Sequence, residues 1–342
     1  MLQYARYMKT VLKVFTSSVQ RFGKRTCSSA SGSNEAYISH VKEISIPMPY
    51  GKIAAKAWGN ENAYPVLALH GWLDNCGTFD KLIPLLSKEF YIVAVDTPGH
   101  GLSSQRPPGS LYTDLELIVD FKRVTDYFGW KKCSLIGHSL GGCFGLMFAC
   151  IFPDVIRKLV VLDIVKPTSR DITLFPSEIT NGIKNYFKNE SKMSKEPPLY
   201  TTESAAVRLR EGMVNEVTLE SAKILNQRGT RKYRNGVVFN RDLRCRTIEN
   251  INRRSHEVMQ QFMRAVRCEL LMIIANNTHP HYKSATPEVI DQFLDIYREN
   301  CEKFVLKYVD GNHFVHLNYP ERVSSDINEF LSERSSKSDF KN

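Results

Sequence analysis

One six-residue stretch constrains this chain more than any other feature: Gly137-His138-Ser139-Leu140-Gly141-Gly142. A short apolar run, Cys133–Ile136, leads into it, and an apolar helix-spaced run, Leu140–Ile151, leads out. This is a G-x-S-x-G pattern in a strand–turn–helix setting. A reversal that sharp strains the serine backbone and makes Oγ project from the sheet edge. Gly137 and Gly141, two residues before and two after, then approach each other closely and must be glycine or very small. The first N–H groups of the following helix face any anion that develops there. The alternatives are a glycine-rich βα turn that only packs, and a turn of this shape that has lost its chemistry.

The surrounding pattern suits such a turn. Lys42–Pro47 and Ile53–Trp58 read as a hairpin around Tyr50-Gly51. Val66–Leu69 and Tyr91–Val95 read as buried strands, ended by His70-Gly71 and by Asp96-Thr97-Pro98-Gly99-His100-Gly101. Phe79–Leu86 has helical spacing. Thr113–Phe128 reads as a helix with a capping box at Thr113 and Glu116, stopped by Gly129. Lys158–Leu162 is the sixth strand. The alternation then breaks: residues 164–265 are polar, with helical patches and no strong buried strand. Glu269–Ala275, Pro287–Asn300, Phe304–Val309 and Pro320–Leu331 resume as strand, helix, strand and helix. This predicts an α/β fold with a mainly parallel twisted sheet and flanking helices. Residues 35–163 and 266–334 form the core, and 164–265 form a helical cap inserted after the sixth strand. Residues 335–342 are a polar tail. Ligands bind at the carboxyl edge of such sheets, where the cap would lie.

Acyl chemistry at Ser139 needs an oxyanion site, a base and an acid. The loop His70-Gly71-Trp72 follows the third strand, so the backbone N–H of Trp72 is expected to pair with that of Leu140. His70, Gly71 and His138 support these turns. On this arrangement the base comes late in the chain. His313, in Asp310-Gly311-Asn312-His313-Phe314-Val315-His316, is the first choice, and His316 reads as a structural histidine. The acid commonly sits after the seventh strand, but Asn276-Asn277-Thr278-His279-Pro280-His281 has no carboxylate. Asp163, at the end of the sixth strand, is the other known position. The alternatives are Glu288, Asp291 and Asp310, with Asp163 then only a strand cap. A neutral Asn276 or Asn277 on His313 would mean a weakened or differently tuned site.

Composition narrows the remaining classes. The longest apolar run, Cys143–Phe152, is too short to span a bilayer. The eight cysteines include no C-x-x-C pair, and Cys133, Cys143 and Cys150 read as buried thiols in a reducing compartment. The net charge of +10 is local. Residues 1–34 hold six Lys/Arg and no acid, and residues 166–267 hold twenty Lys/Arg against eleven Asp/Glu. A nucleic-acid partner is therefore not implied. The basic insertion is either a solvated surface or a field for an anionic substrate or membrane surface. In residues 1–25 an apolar stripe (Tyr4, Met8, Val11, Leu12, Phe15, Val19, Phe22) opposes six basic groups, and a serine-rich stretch follows. That composition suits a mitochondrial transit peptide, with a membrane-surface helix or a tail on a cytoplasmic protein as alternatives.

These motifs together resemble an α/β-hydrolase-fold serine hydrolase, specifically the serine hydrolase-like (kraken-type) family, over roughly residues 40–332. His70-Gly71-Trp72-Leu73-Asp74-Asn75, the 96–103 loop, the 137–142 turn and Gly311–His316 carry the fold-level likeness. Trp72–Asn75 and Arg241-Asp242-Leu243-Arg244 point to the narrower branch. The resemblance implies an esterase-type hydrolysis of a small-molecule ester through a catalytic triad at a nucleophile elbow, without a cofactor or metal. It names no substrate. Epoxide hydrolases and haloalkane dehalogenases, which resemble this arrangement, use Asp as nucleophile; Ser139 points to acyl transfer instead.

Overall fold

A computed structural model describes residues 41–247, 254–279 and 285–333. The basic segment read as a targeting peptide, the polar tail and His281 lie outside these described residues. Among the described residues ten strands are formed: β1 (Lys42–Met48), β2 (Gly51–Trp58), β3 (Tyr64–Leu69), β4 (Phe90–Val95), β5 (Cys133–His138), β6 (Ile156–Leu162), β7 (Thr230–Tyr233), β8 (Gly236–Phe239), β9 (Glu269–Ala275) and β10 (Phe304–Val309). Eight make one sheet in the order β1-β2-β4-β3-β5-β6-β9-β10. β1 and β2 pair antiparallel, as do β2 and β4; every pairing from β4 to β10 is parallel.

Both faces of the sheet are covered, which explains the unbroken apolar runs. Leu67, Leu69, Leu159 and Val161 face one core cluster. Val66, Ala68, Val160 and Leu162 face the other. Helices α1 (Asp114–Tyr127), α2 (Leu140–Ile151), α6 (His256–Met263) and α7 (Pro287–Asn300) supply residues to the first cluster, and α8 (Glu321–Ser332) to the second. The capping box at Thr113 and Glu116 is formed. Among the described residues no helix is long and apolar enough to cross a membrane.

Two local expectations are corrected. Phe79–Leu86 is not one helix but two 3₁₀ turns, Cys76–Phe79 and Ile83–Leu85. Pro84 brings no N–H, so a longer helix would lose a backbone bond there. Cys150 is only half-buried, unlike Cys133 and Cys143.

Between β6 and β9 the chain forms α3 (Phe175–Met193), α4 (Thr202–Gly212), α5 (Leu219–Gly229), the β7–β8 hairpin and a 3₁₀ turn, Leu243–Thr247, before reaching α6. The hairpin turns at Arg234-Asn235, with Arg234 at φ 49°. β8 is a short apolar run, Gly236–Phe239, with Val238 buried, whereas β7 is polar and half-exposed, so the pair did not stand out as buried strands in the sequence. Buried charges tie this insertion to the sheet. Arg228 of α5 donates to Asp96 through Nε (3.1 Å) and Nη2 (2.8 Å) and also pairs with Glu43. Asp242 accepts from Tyr112 and Arg244, and Arg244 donates to the carbonyls of Arg106 and Pro107. The Arg-Asp-Leu-Arg run is thus a polar clamp on the 96–112 segment.

Candidate active site

Ser139 sits between β5 and α2 with φ 50° and ψ −118°. That left-handed value is strained for a residue with a Cβ. The chain accepts it because the turn is fixed on both sides: Ser139 N–H donates to Leu162 O (2.9 Å), and Ser139 O accepts from Cys143 N–H (3.0 Å). The neighbouring glycines have no room for a side chain. A Cβ on Gly137 would lie 2.5 Å from Gly141 O, and one on Gly141 would lie 2.1 Å from Leu69 O.

Three side chains meet at the carboxyl edge of the sheet. Ser139 Oγ is 2.8 Å from His313 Nε2, and His313 Nδ1 is 2.6 Å from Asp163 Oδ2. Burial opposes ionisation of Asp163, but bonds from His313, Thr278 and Ala275 outweigh it and hold the carboxyl below the usual carboxylate range. An ionised carboxylate only accepts, so the proton on that bond belongs to Nδ1. Nε2 is then left with its lone pair toward the serine hydroxyl. Ser139 is partly exposed, whereas His313 and Asp163 are buried.

Asp163 also has a positive φ, 53°, and its N–H donates to Ile273 O. Its Oδ1 accepts from Ala275 N–H (2.8 Å) and its Oδ2 from Thr278 Oγ1 (2.6 Å). The loop after β9, which lacks a carboxylate, therefore supplies donors to a carboxylate on the neighbouring strand. The other acids lie elsewhere: Glu288 and Asp291 are exposed, and Asp310 pairs with Arg322. Asn276 N–H donates to Val309 O, and Asn277 Nδ2 donates to Asp310.

The supporting turns pack against the serine. A Cβ on Gly71 would stand 3.3 Å from Ser139 Cβ, so the Gly71-Trp72 backbone adjoins the nucleophile turn. Leu140 is the first residue of α2, so its N–H has no partner within the helix. The Trp72 indole reaches the insertion, donating to Cys245 O at 3.2 Å. His70 Nε2 accepts from Thr97 N–H, so its proton is on Nδ1, bonded to Gly71 O. His138 Nε2 donates to His313 O at 2.9 Å, and burial keeps this ring neutral. His316 lies beneath, bonded to Thr78 Oγ1, with burial pushing it down to about 3.

One contributor left no sequence signal. Glu216, in the insertion, accepts from His313 N–H through Oε2 (2.8 Å). Its carbonyl accepts from Asn312 Nδ2 (2.6 Å) and Asn318 Nδ2 (2.8 Å). Val214 and Asn215 before it have φ 46° and 63°. Consecutive positive values, one on a β-branched residue, persist only where surrounding contacts hold them. Thr278 was equally invisible, since a threonine in a polar loop is unremarkable until its distance to Asp163 is known.

Comparison with known proteins identifies the family and the fold. Residues 64–320 match the family described as the alpha/beta hydrolase fold. A probable serine hydrolase of Drosophila melanogaster is 35% identical over 295 residues, covering 85% of this chain and 88% of the relative. Serine hydrolase-like protein 2 of Homo sapiens is 36% identical over 304 residues, covering 85% and 94%. A hypothetical protein of Pseudomonas aeruginosa superposes with a TM-score of 0.74 at 27% identity, over 86% of this chain and all of that one. From the serine at the elbow to the shared fold and sequence, the chain belongs to the α/β-hydrolase-fold family, among its serine hydrolase-like members.

Proposed function

We propose that the protein is a serine hydrolase that cleaves small or medium ester-type substrates through an acyl-enzyme. The observation that carries this reading is the hydrogen-bonded series Ser139–His313–Asp163. Ser139 Oγ attacks the acyl carbonyl while His313 Nε2 takes its proton. Asp163 stabilises the resulting imidazolium. The carbonyl oxygen becomes an anion facing the N–H groups of Trp72 and Leu140. The intermediate collapses, the leaving oxygen takes the proton from His313, and the acyl group stays on Ser139. Water then repeats the sequence and frees the acid. Nothing in these steps calls for a cofactor.

The insertion is read as the cap over this site. Residues 1–34 remain a candidate mitochondrial address on composition alone, which a fluorescent reporter fused to them reads directly. A silent hydrolase-fold binding module is the competing reading. A fluorophosphonate probe separates the two: wild-type protein labels, and Ser139→Ala does not while keeping its circular dichroism spectrum. Labelling of the alanine variant at the wild-type rate would sink the acyl-enzyme reading.

A further inference from the structure

Helix α3 (Phe175–Met193), the first α-helix of the insertion, divides its residues sharply between its faces. Gly182, Tyr186 and Asn189 are buried, and the helix packs against the 3₁₀ turn Leu243–Thr247. The Tyr186 hydroxyl donates to Ser110 O at 3.0 Å. Both acids of the helix lie at the margins of this inner face. Glu178 pairs with Arg170 at 3.7 Å, and Glu190 lies 3.2 Å from the Tyr186 hydroxyl.

Two neighbouring rows at i, i+4 spacing run along the rest of the helix. One is apolar. Ile179 is half-buried, Ile183 is 41% exposed and Phe187 is 61% exposed, so the row emerges into solvent along the helix. The 3₁₀ turn leading into α3, Ile172–Leu174, adds two more exposed apolar side chains, Ile172 and Leu174. The other row is Lys184, Lys188 and Lys192, each exposed. Among the described residues none of these three lysines forms an ion pair. Exposed helical charges elsewhere do pair: Lys122 with Asp126, and Arg298 with Asp295. A face that met only water would gain from glutamates among the lysines, since like charges four residues apart repel. It would also gain from hiding the apolar row. One partner relieves both: an apolar layer bounded by anions.

We propose that the outer face of α3 is a docking surface for bilayers that contain acidic phospholipid. Ile183 and Phe187 enter the boundary between head groups and acyl chains, and Lys184, Lys188 and Lys192 reach up to the anionic head groups on their flexible stems. The helix, about 28 Å long, lies on the membrane and does not cross it. The charge of the region suits this partner. Residues 166–267 hold twenty Lys/Arg against eleven Asp/Glu, so an anionic surface attracts the insertion from a distance. The surface concerns where the protein works and is independent of the hydrolase chemistry proposed above.

The test is sedimentation of the full chain with vesicles of phosphatidylcholine and phosphatidylserine in roughly equal parts, set against phosphatidylcholine alone. The wild type is expected to bind the mixed vesicles at least about tenfold more tightly than the neutral ones. Ile183→Ser combined with Phe187→Ser removes the apolar row and should weaken binding to the mixed vesicles at least about tenfold. Lys184→Gln, Lys188→Gln and Lys192→Gln together should remove most of the preference for phosphatidylserine. All five positions are exposed, so circular dichroism should show an unchanged fold; if one variant does not fold, the other carries the test. Residues 1–34 are also basic and partly apolar. Binding that both variants retain in full would put the contact there and overturn the proposal. Equal binding to the two kinds of vesicle overturns it, as does no binding of the wild type to either. Self-association of the wild type that the serine variant abolishes, with vesicles left unbound, would make this face a protein interface and also overturn it.

Discussion

The central sheet and the insertion that follows β6 are held by different forces. Strands β3, β5, β6 and β9 bury nearly every side chain on both faces. That stabilisation is spread over many small non-directional contacts, about 25 cal/mol for each Å² of apolar surface. Among its described residues the insertion adds Cys245, Met259 and Met263 to the main core and otherwise has a small apolar cluster, including Leu209, Met213, Val217 and Leu225, which meets Phe314 and Leu317 beside His313. Elsewhere it leaves Ile172 and Phe187 more than 60% exposed. Its attachment depends on a few buried polar contacts: Arg228 on Asp96, Asp242 and Arg244 on the 96–112 segment, and Glu216 on His313. Area forgives the loss of a methyl group, but a directional contact between buried charges fails when either partner goes. In the proposed mechanism the reacting groups therefore sit on the forgiving scaffold, and Glu216 of the sensitive region touches one of them.

Substitutions can test that division. The largest effect is expected on the sheet side. Asp163→Asn should lower kcat by roughly 10³–10⁴ with little loss of stability, since the amide disturbs the histidine tautomer; activity near wild type would move the acid role elsewhere. Next is the peg between the regions. Arg228→Met leaves Asp96 buried without its cation and should cost about 3 kcal/mol or more in urea unfolding. A loss under 1 kcal/mol would mean that the backbone N–H groups of Cys76 and Leu102 already satisfy that carboxylate.

Glu216 sharpens the comparison because it belongs to the insertion yet holds the backbone of His313, the base in the proposed mechanism. Glu216→Ala should slow fluorophosphonate labelling roughly ten- to hundredfold through misplacement of His313. Glu216→Gln keeps an acceptor for the His313 N–H and should recover much of that rate. Equal losses in the two variants would leave charge, not the hydrogen bond, as the operative property.

A last effect, on acid stability, is small near neutral pH and grows as the pH falls. His100 and His316 are pushed down to about 3 by burial. Unfolded, each binds a proton near pH 6.5. The unfolded state therefore takes up protons that the folded state refuses, and stability is lost as pH falls from about 6.5 toward 3. Each group contributes up to about 1.4 kcal/mol per pH unit within that window. His100→Gln should flatten the dependence of urea stability between pH 7 and 5; an unchanged slope would mean that His100 is protonated in the fold.

The contrast between the regions also explains what could be read in advance. Buried parallel strands are continuous apolar runs, and helices such as Thr113–Phe128 carry capping signals, so the sheet elements stood out from local composition. The elbow was legible for the same reason: Gly137, Ser139 and Gly141 are consecutive in one turn. His313 was reachable from chain order, and Asp163 from its place at a strand end together with the absence of a carboxylate after β9. Phe79–Leu86 misled because apolar spacing does not register the N–H that Pro84 lacks.

What the sequence determined by itself is whatever depends on neighbours along the chain: periodicity, caps, the strained serine turn and the local excess of charge. What only the tertiary structure decided is which distant groups meet. Thr278 and Ala275 bond Asp163 across two adjacent strands. Glu216 reaches His313 across 97 positions of sequence. Arg228 finds Asp96 across 132. A single hydrogen-bonding side chain has no period and no propensity, so it leaves no trace in local pattern. Its partner is chosen by the packing of whole elements, and its energy depends on the burial that only the folded chain provides.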